Sequence, residues 1–483
     1  MAHRILDSHR AGARVSRMNN ANPEDDSRER EYRKIVASLP TRSDIFLPTN
    51  KVSVDERLAG IRIVRGIYRD RLDSVYRPAL RALRERYKGS KRCFIIGNGP
   101  SLNRTDLSVL KDEVTFAVNG FFLKATELDW RPTFYVVEDH LVAEDRRRSI
   151  NAFKGSTKLF PAYLGYCLDE GSDTIFFNHL PRKSFPHGFD FSTDAAEATY
   201  TGCTVTFTCM QLAFYLGFEE IYLIGVDASY DLPKDVEQAD SYAVGVLDMK
   251  SDDPNHFHPD YFGKGFRWHD PQVGKMVEAY QEARRVVDGT GQRIYNATVG
   301  GKLEVFERRA YADLFANARS PEAVAAENEK ALAERVVVPR ILVLDMTARG
   351  DGTATGELKA NIFSQWPDDW YLQIFNIGGG WLGAQRGPDI EKTEDSVPSN
   401  TGPLKRLIDE FDPELILYRP VPNAPALHDF AMAIIASRPS IPLVTWIMDD
   451  WPSRLEIDDP SRFSAFNEDW LWLLNRSALR LSI

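Results

Sequence analysis

Apolar and polar residues alternate along the chain in blocks, and the blocks predict alternating buried strands and helices. Short apolar runs bounded by turn residues read as buried parallel strands. One is Phe94-Ile-Ile96, which runs straight into Gly97-Asn98-Gly99-Pro100-Ser101. Residues 114–118 end at Asn119-Gly120, residues 133–137 end at Glu138-Asp139-His140, and residues 219–226 are closed by Asp227. Residues 293–298 read as the last strand of this domain. Between the strands, residues 105–112 open on a helix cap, residues 204–216 read as a buried helix stopped by Gly217, and residues 273–287 keep helical spacing. Ahead of the first strand, Leu58, Ile61, Val64, Tyr68, Leu72 and Val75 fall at helical spacing, and Pro78 should kink or interrupt that pattern before Leu80.

The same alternation resumes near the end. Residues 319–335 are rich in Ala and Glu and read as a linking helix, with Pro321 suited to its first turn. A strand at 340–345, a flexible Gly350-to-Gly356 loop and a helix near 358–366 follow. Residues 371–375, 415–418 and 443–448 are further strands, the last ending at Asp449-Asp450. The expected fold class is α/β, a Rossmann-like parallel sheet domain with a helical N-terminal preface and a second Rossmann-like domain. The expected boundaries are a disordered or loosely helical tail at 1–45, the preface at 46–90, a nucleotide-binding domain at 91–318, a linker helix at 319–337 and the second domain at 338–483. The final Leu479-Arg-Leu-Ser-Ile483 reads as a strand in mid-domain, so the second domain is expected to be truncated.

Composition narrows the function classes. With 483 residues the chain needs more than one core. A net charge of −10 argues against general nucleic-acid affinity. Its 4 cysteines form no C-x-x-C pair, so neither a disulfide framework nor a zinc ribbon is indicated. No apolar run reaches the roughly 18 residues of a membrane span, and the first 20 residues carry no signal-peptide core, so the expectation is cytoplasmic.

In parallel sheets ligands bind beyond the carboxyl ends of the strands, where Asn98, Asn119, Glu138, Asp139 and Asp227 all fall. Gly97 and Gly99 permit positive φ and close backbone approach, and the amides of the Gly97-to-Ser101 turn could face a phosphate. A plain strand-to-loop turn without a ligand is the alternative. Taken singly, each Asn or Asp could be a cap or turn residue. Thr201-Gly202 stands before the 204–216 helix, where it could face a ligand or simply cap the helix. His256 and His258 lie in a Gly-containing loop, as a general base or as ordinary exposed residues.

The stretches Phe94-to-Leu102, Val118-Asn-Gly120, Tyr135-to-Asp139 and Leu216-to-Asp227 resemble the 6-hydroxymethylpterin diphosphokinase-like family, over about residues 80–315. They are also similar to bacterial sialyltransferases that use CMP-activated sugars. That resemblance implies that Asn98, Gly99, Ser101 and Asn119 face the nucleotide, with Thr201-Gly202 in the place of a Ser-Gly before the helix; Gly97, Pro100 and the strand-end Asp227 complete the expected nucleotide site. The resemblance also implies a histidine base in the 255–262 loop. His258 is the first choice because Pro259 stiffens the chain beside it, His256 the second, and Asp139 the next. Residues 338–483 resemble the N-terminal half of a two-domain glycosyltransferase, carried by Ile341-to-Asp345, the Gly350–Gly356 loop, Tyr418-Arg-Pro420 and Ile447-to-Pro452. On that basis Asp449 and Asp450 are site candidates, with a structural role as the alternative.

These resemblances imply a transferase with a nucleotide-activated donor and a hydroxyl acceptor. The first reading is a glycosyltransferase-like enzyme of cell-surface glycan or protein glycosylation, with a CMP-activated nonulosonate as one form of donor. The second is an ATP-dependent diphosphokinase, which needs Mg²⁺ held by Glu138, Asp139 and Asp227. The third is a non-catalytic nucleotide-binding module. No cofactor is fixed by the residues themselves.

Overall fold

The computed structural model describes residues 23–40, 54–183, 188–231, 237–238, 246–249, 251–263, 265–334, 338–364, 366–386, 389–391, 401–421, 423–447 and 460–482. The chain divides into two compact units, Met1–Leu332 and Ala333–Ile483. Asp449 and Asp450 lie outside the described residues.

In the first unit β1 (Arg92–Ile96), β2 (Thr115–Val118), β3 (Phe134–Val136), β4 (Thr157–Pro161) and β5 (Thr174–Phe177) come in chain order. β6 (His179–Leu180) pairs with β7 (Thr199–Tyr200) on its own. Next come β8 (Glu220–Ile224), β9 (Glu237–Gln238), β10 (Val246–Asp248), β11 (Arg267–His269), β12 (Arg293–Asn296) and β13 (Glu307–Arg308). The main sheet has 8 strands in the order β13-β12-β8-β1-β2-β3-β4-β5. Every pairing in it is parallel. β9, β10 and β11 form a separate antiparallel sheet.

β1, β2, β3, β8 and β12 stand where the apolar runs predict strands, whereas β4, β5 and β13 are additional to them. The reason for the unbroken apolar runs is that both faces of the sheet are covered. Phe94 and Ile96 enter one core, while Cys93 and Ile95 enter the other, and all are fully buried. The helix Val205–Leu216 packs in the second core, capped by the Thr204 hydroxyl and stopped by Gly217 at φ 87°. From β1 the chain builds outward one way to β5 and, from β8, the other way to β13. The connection therefore reverses between β1 and β8, which is where α/β sheets open a crevice.

The helical preface differs from a simple 3.6-residue pattern. Val54–Gly66 and Arg77–Tyr87 are joined by a π-helical stretch, Ile67–Tyr76, in which the Arg77 N–H donates to the Leu72 carbonyl five residues back. Pro78 can neither donate nor tolerate a tight preceding turn, and the wider π stretch just before it relieves both. The widening also rotates the face. Leu72, Tyr76 and Leu80 are buried, while Val75, expected inside, is exposed. Further on, Pro321–Ala333 packs Val324 inward, and its Asn328 amide donates to the Asn103 carbonyl, both within the first unit.

The second unit is also Rossmann-like. Its strands are β14 (Ile341–Asp345), β15 (Tyr371–Gly378), β16 (Trp381–Arg386), β17 (Asp389–Glu391), β18 (Leu415–Tyr418), β19 (Leu443–Ile447) and β20 (Leu479–Ser482). They form a 7-stranded sheet in the order β17-β16-β15-β14-β18-β19-β20. β16 and β17 run antiparallel at one edge and were not anticipated; a glycine-rich hairpin at Gly378–Gly380 produces them. At the end of β14, Asp345 is fully buried and accepts from Lys359 and, at 2.5 Å, from the Arg419 guanidinium. No helix among the described residues is long and apolar enough to cross a membrane.

Candidate functional site

A cleft of about 840 Å³ opens at the carboxyl ends of the central strands. Gly97, Asn98, Gly99, Asn119, Glu138, Asp139, Thr201, Asp227 and His256 line it, so much of the predicted set is brought together by the fold. Pro100, Ser101, Gly202 and His258 are not part of the lining. Ser101 instead donates from its hydroxyl to Asp227 at 2.7 Å. Gly202 is packed so closely on Phe207 that a Cβ there would sit 2.2 Å from the ring.

The loop after β1 does not work as a cradle of amides. The Gly97 N–H donates to the Ile224 carbonyl at 2.8 Å, and the Gly99 N–H to the Gly225 carbonyl at 2.9 Å. Those donors are committed to the turn after β8. Nor are these glycines at positive φ; Gly99 has φ −67° and Gly225 has φ 66°. Their need for glycine is steric, since a Cβ on Gly97 would meet the Gly225 carbonyl at 2.4 Å and one on Gly99 would meet Asp227 at 1.9 Å. Two short 3-10 turns follow, Pro100–Arg104 and Leu107–Leu110, the second inside the 105–112 segment expected to be helical.

What the loop offers is a carboxamide. Asn98 is buried, and its Nδ2 donates to the Val118 carbonyl and to the Tyr261 hydroxyl, each at 2.9 Å. Those partners fix which end of the amide is nitrogen, so Oδ1 is the end left over, and it has no protein partner. The Oδ1 of Asn119, at the next strand end, is likewise buried and unpartnered. Buried acceptors are normally satisfied, and two such atoms beside one cleft point to a ligand's donors. Backbone strain gathers here as well. Asn119 (φ 46°), Cys203 (φ 59°) and Ala228 (φ 51°) all line the cleft in the left-handed region, which side chains rarely occupy. The first turn of the Val205–Leu216 helix also borders the cleft, with Thr204, Val205 and Thr206 in the lining and Lys275 across it.

His256 is held in a defined orientation. Its Nδ1 lies 2.7 Å from the buried Asp253 carboxylate, and its ring stacks on Tyr261 at 4.0 Å and 5°. Asp253 also accepts from the backbone N–H groups of Asn255 and Phe262. A carboxylate at Nδ1 makes that nitrogen the protonated one and leaves the Nε2 lone pair available. His258, by contrast, uses Nδ1 to accept from the Asp260 N–H at 3.1 Å, within its own loop. Asp253 was not anticipated, although its i, i+3 spacing from His256 is visible in the sequence.

The carboxylates expected to hold Mg²⁺ do not assemble. Glu138 is occupied by His179 at 3.1 Å and by the Thr208 hydroxyl at 2.9 Å. Burial raises the pKa of Asp227, and the bonds from Ser101 and the nearby His256 oppose that rise. Among the described residues, the group whose ligand atoms converge is Asp139, His140 and His269. His269 carries no sequence signal, because β11 brings it to the site from far along the chain.

No curated protein matches the chain. A solved structure, the MAf glycosyltransferase from Magnetospirillum magneticum AMB-1, is similar at 15% identity with a TM-score of 0.28, covering 63% of this chain and 50% of that one. The chain thus spans about half the length of that structure. Residues 68–232, which carry β1 with its Asn98 loop, the Asn119 and Asp139 strand ends and the turn after β8, match the sequence model of the family described as 6-hydroxymethylpterin diphosphokinase MptE-like.

Proposed function

We propose that the cleft of the first unit binds a nucleotide-activated sugar and that the protein transfers the glycosyl group to a hydroxyl acceptor. The observation that carries this reading is the Asp253–His256 pair in the same cleft as the unpartnered Asn98 and Asn119 oxygens. The two carboxamide oxygens accept from the N–H or O–H groups of the base or ribose. The phosphate sits at the first turn of the Val205–Leu216 helix, where the helix dipole favours an anion and Lys275 adds charge. His256 Nε2 takes the proton of the acceptor hydroxyl as its oxygen bonds to the anomeric carbon. The bond from that carbon to the phosphate oxygen breaks, and the nucleotide leaves with the electron pair. Asp253 is a positioning residue that holds the ring and its tautomer. Glu138, Asp139 and Asp227 do not converge as one set of ligands.

A second reading, diphosphoryl transfer from ATP to a hydroxymethyl group, is favoured by the family match over residues 68–232. The two are separated by thermal stabilisation and turnover with a panel of CTP, CMP, UDP, GDP, ATP and their sugar conjugates. Glycosyl transfer predicts turnover of a sugar nucleotide and no AMP from ATP. His256→Ala should lower that turnover roughly 10²–10⁴-fold with nucleotide affinity little changed. AMP release from ATP would replace the first reading by the second. Nucleotide binding without any turnover would leave a binding module.

A further inference from the structure

We propose that Asp139, His140 and His269 bind one divalent transition-metal ion at the cleft, with open coordination positions toward the donor phosphate. The phosphate role rests on the reading above; the metal site itself does not.

One ligand atom from each residue lies within 4.8 Å of the others. The His269 Nε2 is 3.6 Å from an Asp139 oxygen, and the His140 and His269 rings are 5.2 Å apart. Metal–nitrogen and metal–oxygen bonds of about 2.0–2.2 Å need donor atoms about 3–4 Å apart, so small rotamer shifts close the set. Two imidazoles and one carboxylate suit zinc, cobalt, manganese or ferrous iron, whereas Mg²⁺ and Ca²⁺ favour all-oxygen sets. Three protein ligands leave positions open for an oxygen ligand.

The site has a rigid frame. Asp139 accepts from the Leu141 N–H at 2.8 Å, which fixes its carboxylate at the start of the helix His140–Asp145. At the other end of that helix, Glu144 and Asp145 grip Arg267 of β11. The Arg267 N–H donates to Asp145 at 3.0 Å, and its guanidinium donates to Glu144 at 2.8 Å and to Asp145. Arg57 binds Glu144 from the opposite side at 2.6 Å. This buried network clamps β11 to the helix, and β11 ends in His269. The elements carrying the three ligands are thus locked together independently of any ion. All three residues line the cleft that Asn98 and His256 also line.

The test is titration of the metal-stripped full chain with Co²⁺, followed by visible absorption, with Zn²⁺ displacement and an Mg²⁺ control. Saturation at one equivalent with d–d bands, displaced by Zn²⁺ and not by excess Mg²⁺, is expected. His140→Ala and His269→Ala should each weaken Co²⁺ binding at least about 10-fold. His269 is 42% exposed, so its truncation leaves the fold standing, and circular dichroism checks both variants. Absence of saturable binding, or wild-type affinity in both variants, overturns the proposal and leaves Asp139 and His269 as a surface ion pair. Nucleotide binding is measured in parallel on the stripped and the Co²⁺-loaded protein. If it persists while metal binding fails, only this inference falls. If metal binds and no nucleotide does, the donor-phosphate role and the reading behind it fall together.

Discussion

Asn119 separates backbone strain from ligand contact in one position. Its φ of 46° puts a non-glycine residue in the left-handed region, and its Oδ1 is buried without a partner. Asn119→Gly and Asn119→Ala both remove the carboxamide, but only Ala keeps a Cβ where the backbone resists it. Left-handed φ costs an ordinary L-residue roughly 1–2 kcal/mol. Glycine loses about 0.5–1 kcal/mol more chain entropy on folding, which offsets part of that. The glycine variant should therefore exceed the alanine variant by roughly 0.5–1 kcal/mol. The contact to the Tyr261 hydroxyl is lost in both and cancels, and the Tyr135 hydroxyl still donates to the carbonyl of residue 119. One neutral hydrogen bond is worth about 0.5–1.5 kcal/mol, so both variants should bind nucleotide roughly 2- to 13-fold more weakly. Urea denaturation gives the first quantity, and calorimetric titration with the most stabilising nucleotide gives the second. Equal stability of the two variants would refute the strain argument. Wild-type affinity in both would show that this oxygen does not face the ligand.

Two further predictions concern stability. Burial pushes the Asp106 carboxyl up, but bonds from Arg319 and Ser108 outweigh it and hold the pKa at about 2. Because the folded value lies below the unfolded one near 3.9, the stabilisation is full above about pH 4 and disappears as pH falls through 2. With Arg319 half exposed, solvent screening reduces it to roughly 1–2 kcal/mol. The urea stability gap between wild type and Asp106→Asn should therefore shrink from about pH 6 to about pH 2.5, and a constant gap would contradict the assignment. In the second unit, Asp345→Ala strands the fully buried Lys359 and the buried Arg419, a loss of about 3–5 kcal/mol. Hydrogen exchange at residues 341–345 should accelerate more than about 100-fold, and a change under about 5-fold would mean that the triad is not holding the strand ends.

The sequence by itself determined the α/β class and the central strands, because strands buried on both faces must be apolar throughout and must stop at turn residues. Phe94-Ile-Ile96 before Gly97 and residues 219–226 before Asp227 needed no long-range information. The strand-end rule also placed Asn98, Asn119, Asp139 and Asp227 beside one cleft, since parallel strands share their carboxyl ends. Tertiary structure decided the rest. Only the pairing of β1 with β8 shows that the Gly97 and Gly99 amides are spent on the neighbouring turn, while the Asn98 oxygen is left unpaired. The choice of His256 over His258 depended on where Asp253 and Tyr261 sit around each ring, which a spacing of two residues cannot express. His269 reaches Asp139 only because Arg267 is clamped to Glu144 and Asp145, an ion-pair network between residues more than a hundred positions apart. Periodicity reports which face of an element is buried; it does not report which other element covers that face, and the site's chemistry is set by that second choice.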